Sequence, residues 1–341
     1  MNELFCGIDL GTRSSSICIL DKKRVVTGRW SGKNGKLCEE LKKHVSVANV
    51  CCVIEAGPLA ESVSLEVEQV GAKIEVVDSR HTKALLHGKK KTDRIDAGVL
   101  AELCLMGWYK PIYRKSGEAR EQRVLVAGRA QLVKVCTEVK NSIRGLLKSL
   151  GRVLPAGGDG RRFEEHVQRE LKELSPEIAS IILDLLCVWR DLQRRQLLAY
   201  RKLGKIAKAD PVARRSMTVP GVGPATALAF SATIATPQRF KDGKQIAAYL
   251  GLAPMVHQSG DTHFHGRITK KGDRLLRWLL VEAATVMMTR VKRSFPLRDW
   301  ALQLAKSKGM AKARVALARR LAVLLFTLWK TETDFRIPAA A

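Results

Sequence analysis

The stretch LFCGIDLGTRSSSICILDKKRVVTGRW, residues 4–30, decides the fold. It holds three runs of strand-forming residues, LFCGIDLG, SSICILD and RVVTGRW, with too little chain between them for a crossover. Three short strands so closely connected pair antiparallel. Beyond them the pattern changes. Polar helical sequence around KLCEELKKHV leads to the apolar strand NVCCVIEAG, and a helix near LAESVSLEVEQVG leads to the strand AKIEVVDS. Helical sequence then runs through TDRIDAGVLAELCLMG.

Three strands followed by alternating helix and strand is the arrangement of a ribonuclease-H-like α/β domain, here assigned to residues 1–117. Asp9 falls in the middle or at the end of the first strand, and Glu55 at the end of the fourth. Both follow apolar runs, where a carboxylate is costly without compensation. In such a sheet the ends of strands one and four are neighbours, and a helix after strand five can bring Asp93 and Asp96 over them. These two acids stand three apart in KKKTDRIDAG (89–98), on one helical face. Taken alone, the pair is accounted for by a surface helix start, with Asp93 favoured by the helix dipole and the lysines solvated. Taken in order with Asp9 and Glu55, the four acids suit two Mg²⁺ ions about 4 Å apart acting on a phosphodiester. Lys89, Lys90, Lys91 and Arg94 then hold the phosphate backbone delivered to them.

The charge fits that reading. Sixty Lys and Arg against 33 Asp and Glu give a formal charge of +27, spread along the chain. Such a field attracts polyanions, nucleic acid first and an anionic membrane surface second. The apolar run LAVLLFTLW (321–329) is far shorter than the ~20 residues that span a bilayer. The start, MNELFCGIDLG, has no basic segment followed by an apolar one, so a cytoplasmic protein is expected. Eight cysteines without a CxxC pair are expected to be buried reduced thiols.

Residues 118–210 read as a long helical, coiled-coil-like middle. Leu132, Cys136, Val139, Ile143, Leu146 and Leu150 alternate spacings of four and three. So do Ile178, Ile182, Leu185, Trp189, Leu192, Gln196, Ala199, Leu203 and Ile206. The two seams can pair with each other as an antiparallel hairpin, or with a second chain, Gln196 then fixing the register; a homodimer or higher homo-oligomer is the expectation. Residues 211–341 form a mainly α third region. It runs from MTVPGVGPATALAFSATI through a helical QIAAYLGL and a turn-rich HQSGDTHFHGRI to a basic amphipathic helix at the end. Gly221 and Gly223 of PGVGPATA precede a helix. They either offer backbone N–H groups to a phosphate, as helix-hairpin-helix modules do, or form a plain turn capping a core helix. Lys270, Lys271, Arg274 and Arg277 border a helix whose other face is apolar, and read as a nucleic-acid face.

GIDLGTRSSSICILD, VIEAGP and KTDRIDAGVLAEL together resemble the DEDD signature of the insertion-sequence 110 family of transposases, relatives of the Piv-type invertases with a RuvC-like N-terminal domain. VPGVGPATA, YLGLAP, QSGD and GRITKKGDRLLRWLLVEAA resemble the same family's second domain, so the likeness covers nearly the whole chain. The resemblance implies that Asp9, Glu55, Asp93 and Asp96 hold Mg²⁺. It further implies that Ser259 of QSG attacks the scissile phosphate and holds the DNA end covalently until rejoining. On chemistry alone a serine in a turn is structural. His257, Asp261, His263 and His265 share its loop without making a zinc site. The family also implies a structured non-coding bridge RNA that pairs with donor and target DNA. In it, the carboxylate domain of one protomer serves the serine domain of another.

Three rivals explain less. An actin-like ATPase would share GIDLGT but needs a second phosphate loop and a glycine-rich adenosine site, neither of which is visible. A RuvC-like junction resolvase would hydrolyse DNA with the four acids and water alone, leaving Ser259 dispensable. A non-catalytic nucleic-acid-binding protein would have no use for the acids.

Overall fold

The computed structural model describes residues 3–78, 93–157, 160–259 and 262–337, and for Asp93, Arg94 and residues 256–265 nothing beyond the backbone. Lys89, Lys90 and Lys91 lie outside the described residues. The chain gathers into two compact units, Met1–Arg114 and Lys115–Ala341.

The first unit contains β1 (Glu3–Leu10), β2 (Ser14–Leu20), β3 (Val26–Lys33), α1 (Leu37–Val45), β4 (Asn49–Glu55), α2 (Ala60–Gln69), β5 (Lys73–Val77) and α3 (Asp93–Met106). Its sheet has the order β3-β2-β1-β4-β5. The first three strands pair antiparallel, while β4 and β5 join β1 in parallel. Strand alternation assigns the two faces. Leu4, Cys6 and Ile8, with Val50, Cys52, Ile54, Ile74 and Val76, pack on Leu41 of α1 and Val63 and Val67 of α2. On the opposite face Val53 and Val77 meet Val99, Leu100 and Leu103 of α3, and Cys18 and Leu20 meet Ala97 and Ala101. Gly7 is what lets α3 lie directly on β1: a Cβ there would come within 2.1 Å of the Ala97 carbonyl oxygen and 2.2 Å of the Ala101 nitrogen.

Past α3 the chain returns to the sheet edge. Pro111 bridges to Val77, and the Ile112 N–H donates to the Val76 carbonyl at 2.8 Å. Arg114 then reaches α2 and pairs with both Glu61 and Glu68. Its hydrogen bonds hold the Glu68 carboxyl below the usual carboxylate range and raise the guanidinium further.

The second unit contains α4 (Gly117–Ser149), α5 (Gly160–Leu171), α6 (Pro176–Ala209), α7 (Pro211–Ser216), α8 (Pro224–Ile234), α9 (Gly243–Tyr249), β6 (Pro254–Ser259), β7 (Thr262–Ile268), α10 (Arg274–Thr289), α11 (Pro296–Lys308) and α12 (Met310–Thr331). Capping sets its boundaries. Ser116 Oγ accepts from the Ala119 N–H, starting α4. Asp210 accepts from the Val212 and Ala213 N–H groups with Pro211 at the first helical position, ending α6 and opening α7.

The long helices α4 and α6 pack against each other within the chain, the hairpin arrangement. Their seams depart from the seven-residue spacing. Leu146 and Leu150 are exposed, and Leu147 is buried in their place after Cys136 and Ile143. On α6, Ile178 is exposed while Leu186 and Ala207 are fully buried. An α-helix of 3.6 residues per turn drifts against a 3.5 repeat, so over nine turns the buried stripe slides to the next residue. Cys136, Ile143, Leu147, Phe163, Ile182, Leu186 and Trp189 close a small core among α4, α5 and α6. Further along, Val126, Leu203 and Ala207 belong to the large core of the C-terminal helices. Where the sequence is divided at 117 and 210, the molecule therefore keeps 115–341 as one unit. At its centre is α8, buried from Ala225 through Ile234.

The segment read as turn-rich at 257–268 is an antiparallel hairpin instead, β6 with β7, pairing Ser259 with Thr262 and Gln258 with His263. Polar residues at alternate positions hid the strands, because only one face of a two-stranded ribbon needs to be apolar. Five of the eight cysteines are buried, but Cys187 is exposed. Burial pushes the Cys104 thiol up to about 12. No described helix is long and apolar enough to cross a membrane.

Candidate functional site

In the first unit, Ile8 of β1 pairs with Ile54 of β4 in parallel register, and the next residue on each strand is an acid. Asp9 and Glu55 are thus neighbours at the carboxyl ends of adjacent strands. Alternation puts both on the face covered by α3. Carboxyl ends of parallel strands are where open α/β sheets place their ligands. Asp96 immediately precedes Ala97, the residue whose carbonyl oxygen meets Gly7, and Gly7 lies two residues before Asp9. Asp93 opens the same helix one turn earlier. The sheet register and the seat of α3 on Gly7 bring the four positions to one end of one face.

Asp96 Oδ1 is buried and has no hydrogen-bond partner among the described residues. A buried acceptor left in that state costs about 1–3 kcal/mol, more for a charge, and a hard oxygen-seeking ion removes the cost. Among the described residues no three His, Cys, Asp or Glu side chains gather closely enough to grip an ion. The Asp93 side chain, the fourth acid, lies outside the described residues. Carboxylate oxygens, one of them without a partner among the described residues, are the donor type that a hard divalent cation takes.

The turn beside Asp9 is fastened by a residue that sequence patterning does not single out. The Gly11 N–H donates to the Ser14 carbonyl at 2.9 Å. Asn34 Nδ2 donates to the Gly11 carbonyl at 3.1 Å, while its Oδ1 accepts from Ser15 Oγ at 2.6 Å. Asn34 spans from the end of β3 to the β1–β2 turn and fastens the turn that follows Asp9 and Leu10. The only hint was an asparagine in an otherwise basic stretch, GKNGK.

In the second unit, Ser259 ends β6 as the last residue before the hairpin turn. The hairpin's base is tied by the Thr269 N–H to the Ala253 carbonyl at 2.9 Å and the Lys270 N–H to the Gly251 carbonyl at 3.0 Å. Here the backbones of YLGL and KKGD cross: a Cβ on Gly272 would lie 2.3 Å from the Tyr249 carbonyl oxygen. Asp273 caps α10, accepting from the Leu276 N–H at 2.8 Å, and pairs with Arg123. Of the four cations assigned to a nucleic-acid face, Lys270, Lys271 and Arg274 are exposed. Arg277 is half-buried and donates to the Leu250 carbonyl at 3.1 Å, so it also braces the crossing. Gly221 has φ +91 and packs where a Cβ would meet the Ala283 carbonyl oxygen at 2.7 Å, a packing reason for the glycine. Gly223 caps the buried helix α8 with extended backbone.

Lys115 sits near Arg123, Asp273 and Arg239, and burial first, then the two arginines, push its ammonium down to about 8. The native state therefore binds fewer protons than the unfolded chain between about pH 8 and the ordinary lysine value near 10.4, and stability rises with pH through that window. Below pH 8 the cost is fully present. Lys115→Met is expected to raise the melting temperature at pH 7 and to flatten the rise between pH 8 and 10, as read from melting curves of both proteins.

Sequence comparisons agree with both units. A family model described as Transposase, of the DEDD type of IS110, matches residues 6–151, and another described as Transposase IS116/IS110/IS902 family matches 213–298. The chain is 28% identical over 343 residues to the transposase for insertion sequence element IS1111A of Coxiella burnetii, covering 98% of this chain and 91% of that one. It is 25% identical to a probable family 20 transposase of Pseudomonas aeruginosa, covering 98% and 99%. It is 24% identical to the transposase for insertion sequence element IS1328 of Yersinia enterocolitica, again covering 98% and 99%.

Proposed function

The chain belongs to the IS110 family of transposases and is a DNA transposase, and from that premise we propose that it cleaves and rejoins DNA with Ser259 as nucleophile and with Mg²⁺ held by Asp9, Glu55, Asp93 and Asp96. The observation that carries this reading is the register of Asp9 with Glu55 on the sheet face crossed by α3, where Asp96 Oδ1 has no hydrogen-bond partner among the described residues. When bound, the ion supplies charge neutralisation at the phosphoryl oxygens and lowers the pKa of a coordinated hydroxyl.

The chain's own residues do the rest. Ser259 Oγ gives up its proton and forms a bond to phosphorus, and the bond from phosphorus to the leaving strand's oxygen breaks, that oxygen taking a proton. The phosphodiester becomes a phosphoserine ester. A hydroxyl of the incoming strand reverses the exchange, so no ATP is needed. Lys270, Lys271 and Arg274 neutralise phosphates on either side of the serine strand, and Lys89, Lys90, Lys91 and Arg94 do so beside the carboxylates.

The net charge of +27 supports binding a structured guide RNA together with donor and target DNA. A homodimer is supported by apolar side chains left exposed on α6, Ile178, Ile181 and Val188, while Leu185 and Leu192 between and beyond them pack partly on the chain's own core. The test is a supercoiled-plasmid recombination assay with purified protein, the element's flanking RNA and Mg²⁺, with denaturing gels to trap protein on DNA. Wild type is expected to leave a covalent adduct that Ser259→Ala and Asp93→Ala both abolish. Cleavage by Ser259→Ala but not by Asp93→Ala would replace this reading with hydrolysis by a RuvC-like metal nuclease.

A further inference from the structure

The second unit carries a groove of about 1380 Å³ between the base of the β6–β7 hairpin and helices α11 and α12. Its floor is apolar, with Ile268, Leu297, Val315, Ala316 and Leu324 among its residues. Its rim is cationic. Arg267, Lys270, Lys312, Arg319 and Arg320 line it, and no carboxylate is among the described residues that do. Trp300 also lines it, with the Arg320 guanidinium stacked 3.5 Å from its ring centre. Apart from Lys270, none of these lining residues takes part in the phosphoryl-transfer chemistry above.

We propose that the groove takes unpaired nucleotides of a single nucleic-acid strand, bases on the apolar floor and phosphates along the cationic rim. The proposal rests on the reading of the chain as a nucleic-acid enzyme and adds a site for bases to it. Charge complementarity selects the occupant: five cations without an acid call for a polyanion. The floor selects further, because a duplex keeps its base faces stacked inside and has no apolar surface to offer, whereas an unpaired strand does. The Arg320 guanidinium, already flattened on Trp300, presents its outer plane for a base to stack on. The groove is also larger than the about 300–1,000 Å³ usual for a single small ligand, which leaves room for several nucleotides. The location gives the groove a purpose. Pro254 and Ile268, paired at the base of the hairpin, line the groove, and Ser259 lies five residues along the same strand, about 17 Å at the usual β rise. Bases held in the groove would keep a strand melted next to the serine.

The test measures binding of fluorescein-labelled oligothymidylate and oligouridylate of about 12 nucleotides, and of a duplex of that length, to the full chain. Val315→Glu, which puts a negative charge on the floor, is expected to weaken single-strand binding by about tenfold or more and to leave duplex binding within about twofold. Arg320→Ala is expected to weaken single-strand binding several-fold. Thr327→Glu, exposed on the groove wall, serves as a second charged variant if Val315→Glu lowers the melting temperature. Comparing the two oligonucleotides tells a DNA strand from an RNA strand. Unchanged single-strand affinity in Arg320→Ala and the charged variant, or equal losses on duplex, would overturn the groove while leaving the transposase reading intact. A wild-type protein that binds neither single strand nor duplex would overturn the nucleic-acid reading beneath it, and the groove with it.

Discussion

Asp96→Ala is expected to abolish strand cleavage and strand joining and, at the same time, to raise the melting temperature. The two effects have one cause. Asp96 Oδ1 is buried without a hydrogen-bond partner among the described residues, so in the protein free of metal this oxygen is expected to cost stability. Removing it relieves a desolvation penalty of about 1–3 kcal/mol, which for a unit of this size corresponds to several degrees. Removing it also takes away an oxygen that the metal would bind, and loss of a group acting as one unit with the others costs on the order of 10³ or more in rate. Melting curves with and without Mg²⁺ give a further readout: the ion is expected to stabilise wild type and to leave Asp96→Ala unmoved. A variant that melts lower than wild type in metal-free buffer would show that Asp96 is a structural residue.

Gly7→Ala is expected to be among the most destabilising single-methyl changes in the first unit. The added Cβ would collide with backbone, the Ala97 carbonyl oxygen at 2.1 Å and the Ala101 nitrogen at 2.2 Å, and backbone cannot rotate away as a side-chain tip can. Helix α3 must lift off β1, which costs about 3 kcal/mol or more. Since α3 carries Asp93 and Asp96, cleavage is expected to fall with stability. Gly98 on the same helix is the internal control. Nothing lies within 4 Å of a Cβ there, so Gly98→Ala is expected to be neutral or to stabilise by about 0.5–1 kcal/mol. Thermal melting of the two variants checks this. Equal melting temperatures would mean that α3 does not rest on Gly7.

The sequence by itself determined the strand pattern and the carboxylates. Alternation in LFCGIDLG, SSICILD and NVCCVIEAG reports which face each residue takes, because strand periodicity is local. The acids at the ends of those runs stand out because a charge after an apolar strand is costly wherever the strand goes. The tight connections of the first three strands fixed their antiparallel pairing, borne out in β1, β2 and β3. Three features were decided only by the tertiary structure. The seam of α4 and α6 slid from Leu146 to Leu147 because helix pitch, accumulated over many turns, outweighs a seven-residue count. The hairpin under Ser259 depends on pairing between segments too polar to announce themselves as strands. The groove is assembled from residues between 252 and 335, where a floor of Ile268 and Val315 and a rim of Arg267 and Arg320 become one surface only when distant helices pack. Local patterns fix what each segment is, and which segments share a surface is set by long-range packing that no local window contains.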